Sequence, residues 1–518
     1  MSEPSQNMKI VSAEEIAAHS TRDSCWIIVH GKVYDVTDFL DDHPGGSKII
    51  LKYGGKDATK EYDPIHPPDA ITTHLHPSKH LGVVDPSSSK SAHVEESEEE
   101  QRRKELLVSV PPLSSILNLH DFESIARRVL PPRAWAYYSS AADDEITLRE
   151  NRGAYLRIWF RPQVLVDVEK VDFSTSLLGQ PSSMPIYITA TALGKLGHPD
   201  GELNLTRGAA KHGVIQMIPT LASCSFDQIV DAAAPGQVQF MQLYVNKDRK
   251  VTERIVRHAE ERGIKGLFIT VDAPQLGRRE KDMRMKFDDE GANVQKDDGS
   301  VNRDQGAARA ISSFIDPSLS WKDIPWFKSI TKMPIILKGV QRWEDALRAY
   351  DAGVAGVVLS NHGGRQLDTA PSGIEILVSV VDAFKQKRGI TFPLKDGRFQ
   401  LFVDGGVRRA SDVLKAVALG AAAVGIGRPF LYAYSSYGVD GVDKALSILK
   451  DEFEMNMRLL GTPTIAAVGP ESVDASNIHS HIVSVPTDRL YDENYEGMRG
   501  AVLRDAKHDL KQSTLAKL

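Results

Sequence analysis

The chain has 518 residues, 41% of them hydrophobic, and a formal net charge of -6 at pH 7, a length and composition that predict two or more globular domains with a large buried core. The charge balance, with no basic run, excludes DNA, RNA and anionic membrane surfaces as main partners and leaves small molecules or a basic protein. No run of about 18 apolar residues is present, so no membrane span is expected.

At the N-terminus, Met1 to Gln6 have neither the apolar core of a secretory signal nor the Arg-rich amphipathic pattern of a transit peptide. A cytoplasmic protein, or one whose presequence lies outside this sequence, fits both facts. Residues 8–85 read as a small self-contained unit. Ser12-Ala13-Glu14-Glu15 has the form of a capping box opening a helix, and Cys25 to Val36 read as a hairpin turning at Gly31. Cys25 and Cys224 are the only cysteines, too few for a disulfide framework or a sulfur-ligated cluster, and both are expected as buried thiols. Two histidines follow in turns, His43 before Pro44-Gly45-Gly46 and His66 before Pro67. Loop histidines are commonly just solvated. Two of them flanking a small apolar unit can instead close on opposite faces of a haem iron, with Pro44, Gly45 and Gly46 fixing the approach.

Trp26 through Gly46, with Val33-Tyr34-Asp35-Val36 and the His-Pro-Gly-Gly turn, resembles the cytochrome b5 haem-binding domain, and the resemblance covers essentially the whole segment. It implies haem b with His43 and His66 as the two axial ligands. An iron held in this way has no open position, so it is expected to move electrons and not to bind oxygen.

Residues 86–112 change character. Ser87-Ser88-Ser89 is followed by a charge block from Glu95 to Lys104 that cannot bury enough apolar surface to order itself, so a flexible charged linker is expected; a solvated helical face is the other reading of residues 95–105.

From 113 to 470, short apolar runs alternate with helical stretches. Eight runs are predicted as strands: 185–189, 214–218, 238–244, 266–272, 334–338, 356–360, 400–404 and 422–426. Eight βα units over this length predict a TIM barrel, an α/β fold with its active site at the C-terminal ends of the strands. A doubly wound sheet also alternates in this way, but no G-x-G-x-x-G fingerprint opens the first unit. The polar stretch 279–321 is too long for an ordinary βα loop and is expected as a mobile lid. Residues 471–518 lack clear periodicity and are expected as a C-terminal tail over the barrel or a neighbouring subunit.

Polar residues end the predicted strands in a consistent set. Tyr244 follows the third, Asp272 the fourth, Lys338 ends the fifth, and Ser360-Asn361-His362-Gly363-Gly364-Arg365 follows the sixth. A histidine suits proton transfer near neutral pH, two glycines let backbone approach a flat ligand, and an arginine three residues on can grip a carboxylate with a planar fork. The seventh strand leads into Asp404-Gly405-Gly406-Val407-Arg408 and the eighth into Gly425-Ile426-Gly427-Arg428. Glycine N–H groups and arginines at the last two loops of a barrel are suited to phosphate. Singly, Tyr137, Asp272 and Lys338 also read as ordinary rim residues, and Asp272 as a helix cap. Together they meet what oxidation of a 2-hydroxy acid requires: a cationic grip for the carboxylate, a base for a proton and an acceptor for two electrons.

From Ala134-Trp135-Ala136-Tyr137-Tyr138, through the motif at 360–365, to Gly427-Arg428-Pro429, the chain resembles the FMN-dependent L-2-hydroxy-acid dehydrogenase and oxidase family. With the haem segment in front it resembles the flavocytochrome b2 family of fungal, cytochrome-type L-lactate dehydrogenases. The resemblance implies FMN and haem b as cofactors, oxidation of L-lactate or a related L-2-hydroxy acid to the 2-oxo acid, and delivery of electrons to a cytochrome c-type protein. It implies His362 as the base, Asp272 as the carboxylate that stabilises the protonated ring, and Tyr137, Arg365 and Arg279 on the substrate carboxylate. Tyr244 would bond the substrate hydroxyl, and Lys338 would lie at the pyrimidine edge of the flavin. Ala190, Ala192, Gln242, Thr270, Ser360, Asp404, Gly405, Gly406, Arg408, Gly427 and Arg428 are implied FMN contacts. Ala192 and Leu221 match pocket-lining positions, and a leucine there leaves more room than the tryptophan of glycolate-preferring relatives. A homotetramer and the mitochondrial intermembrane space are implied in the same way.

Pro219 departs from the family pattern, standing where relatives carry a serine that touches the flavin; proline donates no hydrogen bond. Two routes are open to these residues, hydride transfer with His362 taking the hydroxyl proton, or abstraction of the α-proton by His362. Two other functions compete. The haem domain argues against an oxidase that uses oxygen, and intact His362, Arg365 and Lys338 argue against a haem redox module on an inactive barrel.

Overall fold

The computed structural model describes residues 9–40, 43, 47–63, 66, 70–85, 98–285 and 314–481. In the N-terminal unit, Ser12 Oγ accepts from Glu15 N at 3.1 Å and opens the helix Ala13–Ala18. Strands β1 (Ile10–Val11), β2 (Ser20–Thr21), β3 (Ser24–Val29), β4 (Lys32–Asp35) and β5 (His80–Val84) form one sheet in the order β1-β5-β4-β3-β2. The expected hairpin is β3–β4, turning through His30 and Gly31, both at positive φ. Alternation along β3 and β4 sends side chains to two faces. Cys25, Ile27, Val29 and Tyr34 pack with Leu40, Ile50 and Ala58 from the helical side, while Ile28 and Val33 pack with Val11 and Ile16 on the other. Burial, reinforced by Asp35, pushes the Cys25 thiol up to about 11, so it is the buried, unreactive thiol expected.

The segment expected as a linker is described from Glu98 onward, and there it follows the other reading, a helical face. Glu98–Val108 is a helix, ordered by its last turn: Leu106 and Leu107, with Val110 and Leu113 beyond, pack against the apolar shell of the barrel. Gln101, Arg102, Lys104 and Glu105 form the solvated side. Residues 86–97 lie outside the described residues.

All eight predicted strands are present. After β6 (Trp159–Phe160) and the hairpin β7 (Thr175–Leu177) and β8 (Gln180–Ser182), the chain forms β9 (Ile186–Ile188), β10 (Ile215–Ile218), β11 (Gln239–Leu243) and β12 (Leu267–Thr270). Next come β13 (Ile335–Val340), β14 (Gly356–Leu359), β15 (Gln400–Asp404) and β16 (Ala423–Ile426). Strands β9 to β16 pair in parallel in chain order, and β16 closes on β9, so the fold is the expected TIM barrel. Most strands are slightly shorter than predicted: several start one residue later, and Thr189, Tyr244, Asp272 and Ser360 lie beyond the C-terminal ends of theirs. Strand β13 runs longer, through a register shift between Lys338 and Val340.

The barrel interior is filled by Tyr187, Ile215, Met217, Phe240, Phe268, Ile336, Val358 and Phe402, with Leu177 of the hairpin packed against them. Leu178 N also donates to Gln400 Oε1, at the start of β15, at 2.9 Å. The hairpin therefore covers the N-terminal end of the barrel and leaves the C-terminal end for a ligand.

The described start of the expected tail packs over the barrel: β17 (Val473–Asp474) pairs with β6, and Val473 and Ile478 are buried in the outer core. Residues 482–518 lie outside the described residues. Of the expected lid, 286–313 also lie outside them, and the described start forms the short helix Glu280–Arg284. Among the described residues no helix is long and apolar enough to cross a membrane.

Candidate active site

One cavity opens at the C-terminal ends of the barrel strands. Its lining includes Tyr137, Ala190, Ala192, Leu221, Gln242, Tyr244, Arg279, Lys338, His362, Arg365, Asp404, Gly405, Gly406, Arg408, Gly427 and Arg428. Pro219, the departure from the family pattern, lines it as well. The remaining expected residues stand one layer back. Gln242 Nε2 donates to Thr270 Oγ1 at 2.9 Å, Ser360 Oγ accepts from His362 N at 3.0 Å, and Asp272 lies behind His362. Thr270 and Ser360 thus orient residues of the wall.

His362 follows β14 with φ +60, a conformation uncommon for a side chain larger than glycine. Gly363 and Gly364 continue at positive φ, and Asn361 Oδ1 accepts from Gly364 N at 2.9 Å, holding the tight turn. The ring is fixed on both sides. Nδ1–H donates to Asp272 Oδ1 at 3.1 Å, and Nε2 is 3.1 Å from the Tyr244 hydroxyl. This network puts the proton on Nδ1 and a lone pair on Nε2, facing the cavity. Burial lowers the His362 pKa below its ordinary value, and Asp272 offsets this only in part. Burial also works to raise Asp272, but His362 and then Lys338 outweigh it and keep the carboxylate ionised. Burial pushes the Tyr244 phenol up, with Asp272 adding to the effect, so the hydroxyl stays a donor.

Arg279 and Arg365 face the cavity side by side. Arg365 Nη1 donates to Tyr137 O at 2.7 Å and Ser140 O at 3.0 Å, and its guanidinium lies over the Tyr137 ring. Burial, and next the charge of Arg365, push Arg279 down to about 9. Among the described residues neither guanidinium is in an ion pair. Two adjacent cations without a counter-charge form an anion site, and the planar forks suit a carboxylate.

On the other side, Lys338 is buried and paired with Asp404 Oδ2 at 3.2 Å. Burial disfavours its charge, but Asp404 and Asp272 outweigh this and hold its pKa above the ordinary value. Asp404 Oδ1 is buried without a hydrogen-bond partner among the described residues. A fixed cation, an unsatisfied acceptor, small apolar wall residues and glycine turns at 405–406 and 427 fit FMN. The two arginines expected at the phosphate line the cavity, and each is braced by other residues. Arg428 donates to the carbonyls of Tyr138, Gly363 and Ser140, each at 2.9 Å, so its side chain braces the His362 turn. For an anion, the start of the helix Arg428–Leu460 adds its own N–H groups. Arg408 Nε donates to Glu123 Oε2 at 3.1 Å, which holds its guanidinium at the cavity edge.

In the N-terminal unit the His43 and His66 ring centroids are 5.9 Å apart. That is room for one metal ion bonded from each side at about 2 Å. His66 Nδ1 is 3.1 Å from Tyr62 O, so it donates there and directs Nε2 outward, as a metal-ligating histidine requires. These residues fit a haem iron. Pro44, Gly45 and Gly46, expected to fix the approach of His43, lie outside the described residues.

The sequence reading missed the braces. Asn151, from the helix Ile146–Leu156, exchanges two amide hydrogen bonds with Asn361, at 2.9 and 2.8 Å. Asp368 accepts from Ile146 N and Thr147 N and caps that same helix. Gly339 leaves room for Asp272, whose Cγ would lie 2.4 Å from a Cβ placed there. Glu123, which holds Arg408, belongs with them. No local pattern marks such residues, because their partners are far away in the chain.

Comparison with known proteins agrees with this geometry. Residues 126–475 match the FMN-dependent dehydrogenase family, and residues 12–85 the cytochrome b5-like haem/steroid-binding domain. The chain is 58% identical over 499 residues to an L-lactate dehydrogenase (cytochrome) of Wickerhamomyces anomalus, covering 96% of this chain and 86% of that protein. It is 49% identical over 511 residues to the protein of the same name from Saccharomyces cerevisiae, covering 96% and 85%. A solved flavocytochrome b2 variant with pyruvate bound superposes with a TM-score of 0.69 at 51% identity, covering 79% of this chain and 99% of that one. With its barrel, its flavin-shaped cavity and its paired histidines, the chain belongs to the FMN-dependent dehydrogenase family and carries a cytochrome b5-like haem domain ahead of the barrel.

Proposed function

We propose that the chain is an FMN- and haem-dependent L-lactate dehydrogenase, converting L-lactate or a close L-2-hydroxy acid to the 2-oxo acid and passing the electrons on to a cytochrome c-type protein. The observation that carries this reading is the pair of guanidiniums, Arg279 and Arg365, that have no ion pair among the described residues and stand beside the Asp272–His362–Tyr244 chain in one cavity. Arg365, Arg279 and Tyr137 grip the substrate carboxylate and orient the α-carbon. His362 Nε2 takes a proton, and Asp272, still ionised, stabilises the imidazolium that results. Tyr244 bonds the substrate hydroxyl. Lys338, held charged by Asp404 and Asp272, places a fixed positive charge where negative charge develops in the reaction. When bound, FMN supplies the two-electron acceptor and haem b the one-electron carrier. Ala192 and Leu221 face the substrate side chain, and small apolar residues there suit a methyl group or a short alkyl chain.

The cytochrome c-type acceptor is supported by the bis-histidine haem site, which suits a carrier with no open coordination position. A homotetrameric assembly and a mitochondrial intermembrane location are part of the same reading and rest on family likeness. The test is an anaerobic spectrum with a panel of L-2-hydroxy acids, recording flavin and haem reduction separately. L-Lactate should bleach the flavin first and reduce the haem afterwards. A flavin that stays oxidised with every acid, or a haem that stays oxidised beside a bleached flavin, would overturn the reading.

A further inference from the structure

Glu202 is fully buried and has no ion-pair partner among the described residues, yet it lies in none of the chemistry derived above. It precedes the helix Leu203–His212, and its backbone carbonyl accepts from Thr206 Oγ1 and Gln216 Nε2, which fixes where its side chain starts. Among the described residues the carboxylate takes three main-chain donors: Oε1 accepts from Gly194 N at 2.8 Å and Ser223 N at 3.0 Å, and Oε2 accepts from Cys224 N at 3.2 Å. Three converging N–H donors are the arrangement that holds a buried carboxylate without a cation. Two of the donors come from the loop after β10 and the third from the loop after β9.

Those two loops form one wall of the cavity. Ala192 stands two residues before Gly194, and Leu221 two residues before Ser223. The loops also bond each other directly, Leu193 N to Leu221 O at 3.1 Å and Lys195 N to Ser223 Oγ at 3.3 Å. Leu193 holds φ +59, so the loop after β9 is in a conformation that must be imposed from outside. Approach at Gly194 is close enough that a Cβ there would lie 2.7 Å from Glu202 Cδ. The carboxylate therefore acts as a clamp behind the wall, one peptide away from each residue that faces the substrate side chain.

We infer that Glu202 is a positioning residue for substrate size: by tying the two loops together it sets the gap between Ala192 and Leu221, and so which 2-hydroxy acids are accepted. This rests on the proposed function. Opening the clamp widens the wall while the Asp272–His362 pair and the arginines, borne by other strands, stay in place. The change belongs in selectivity and KM, with kcat for a substrate that still fits changing much less.

The experiment uses the full chain with both cofactors, as parent, Glu202→Ala and Glu202→Gln. It measures kcat and KM for L-lactate and L-2-hydroxyoctanoate, and Kd for pyruvate and 2-oxooctanoate from the perturbation of the flavin spectrum. In Glu202→Ala the ratio of kcat/KM for the long acid over lactate should rise by about tenfold, the scale of a methylene or two in an apolar pocket. The Kd ratio of the two oxo acids should move the same way. Glu202→Gln keeps the acceptor for Gly194 and Ser223 and loses the one for Cys224, so it should shift both ratios by about threefold. If the alanine variant does not fold, the glutamine variant decides alone. Equal losses for both acids, or unchanged ratios with FMN bound, would overturn the inference. If the parent oxidises no 2-hydroxy acid, the proposed function fails on its own, while the Kd ratio of the two carboxylates still reports on Glu202.

Discussion

His362 works as a base because two opposing effects on it leave burial the larger. Burial holds its pKa below the ordinary 6.5, and Asp272 restores only part of the difference. The ring is therefore neutral and ready to accept a proton at neutral pH and somewhat below. As pH falls the neutral form is lost only through this depressed value, so kcat/KM for L-lactate should stay level down to about 6.5 and decline beneath it. A decline already complete above that pH would contradict the assignment. His362→Gln keeps the shape and loses the base, and stopped-flow flavin reduction by L-lactate should slow by at least about a hundredfold, with FMN and haem still bound. Arg365 offers a second case. Its Nη1 is already committed to Tyr137 O and Ser140 O, so only a planar group with further N–H donors can also hold a substrate. Arg365→Lys has a single nitrogen for both tasks, and kcat/KM for L-lactate should fall by about a hundredfold or more. An unchanged value would show that the carboxylate is anchored elsewhere.

At the scale of elements, irregularities in regular strands and helices place the reacting groups. Strand β13 shifts register after Lys338, and Gly339 takes φ +106, a region that side chains other than glycine rarely enter. The missing side chain matters as much as the dihedral, since Asp272 occupies the space a Cβ would fill. Gly339→Ala should push Asp272 off the His362 ring. We expect flavin reduction to slow by about tenfold or more while FMN is retained, and normal single-turnover rates would show that the bulge is only a strand irregularity. The helix Ile146–Leu156 is a second such device. It is capped from a distance by Asp368, and its Asn151 holds Asn361 and lies against Gly405 and Gly406. One helix thereby fixes the base-bearing turn relative to a turn suited to phosphate.

At the scale of the whole molecule the two kinds of chemistry sit on separate hydrophobic cores, the outer and inner clusters of the barrel and the two small clusters around the five-stranded sheet. Substrate oxidation then belongs to the barrel and delivery of electrons to the haem unit. His66→Ala should abolish the bis-histidine haem spectrum and cytochrome c reduction while leaving flavin reduction by L-lactate almost untouched. Small artificial acceptors should still be reduced, because they reach the flavin directly. Full cytochrome c reduction by this variant, followed in stopped flow, would show that the acceptor takes electrons from the flavin.

What was legible in the sequence follows from local repetition. Eight apolar runs separated by helical stretches specify a barrel, because each strand buried on both faces must read as an uninterrupted apolar run. Residues that end those runs must emerge at the C-terminal rim, so Tyr244, Asp272, Lys338, His362 and Asp404 could be placed in one site before any coordinates. The charge block left Glu98–Val108 open between a linker and a helical face, since its order comes from Leu106 and Leu107 meeting an apolar surface built from distant residues. The same reason hid Asn151, Glu202 and Gly339. Their roles are contacts across many residues of chain: an amide pair to Asn361, a carboxylate shared by two loops, and a space kept open for Asp272. The fold also braces Arg428, three of whose N–H donors go to carbonyls from other elements. Strand-end chemistry is set by the spacing of residues along the chain, whereas bracing depends on which side chains the closed barrel brings together, and only the tertiary structure decides that.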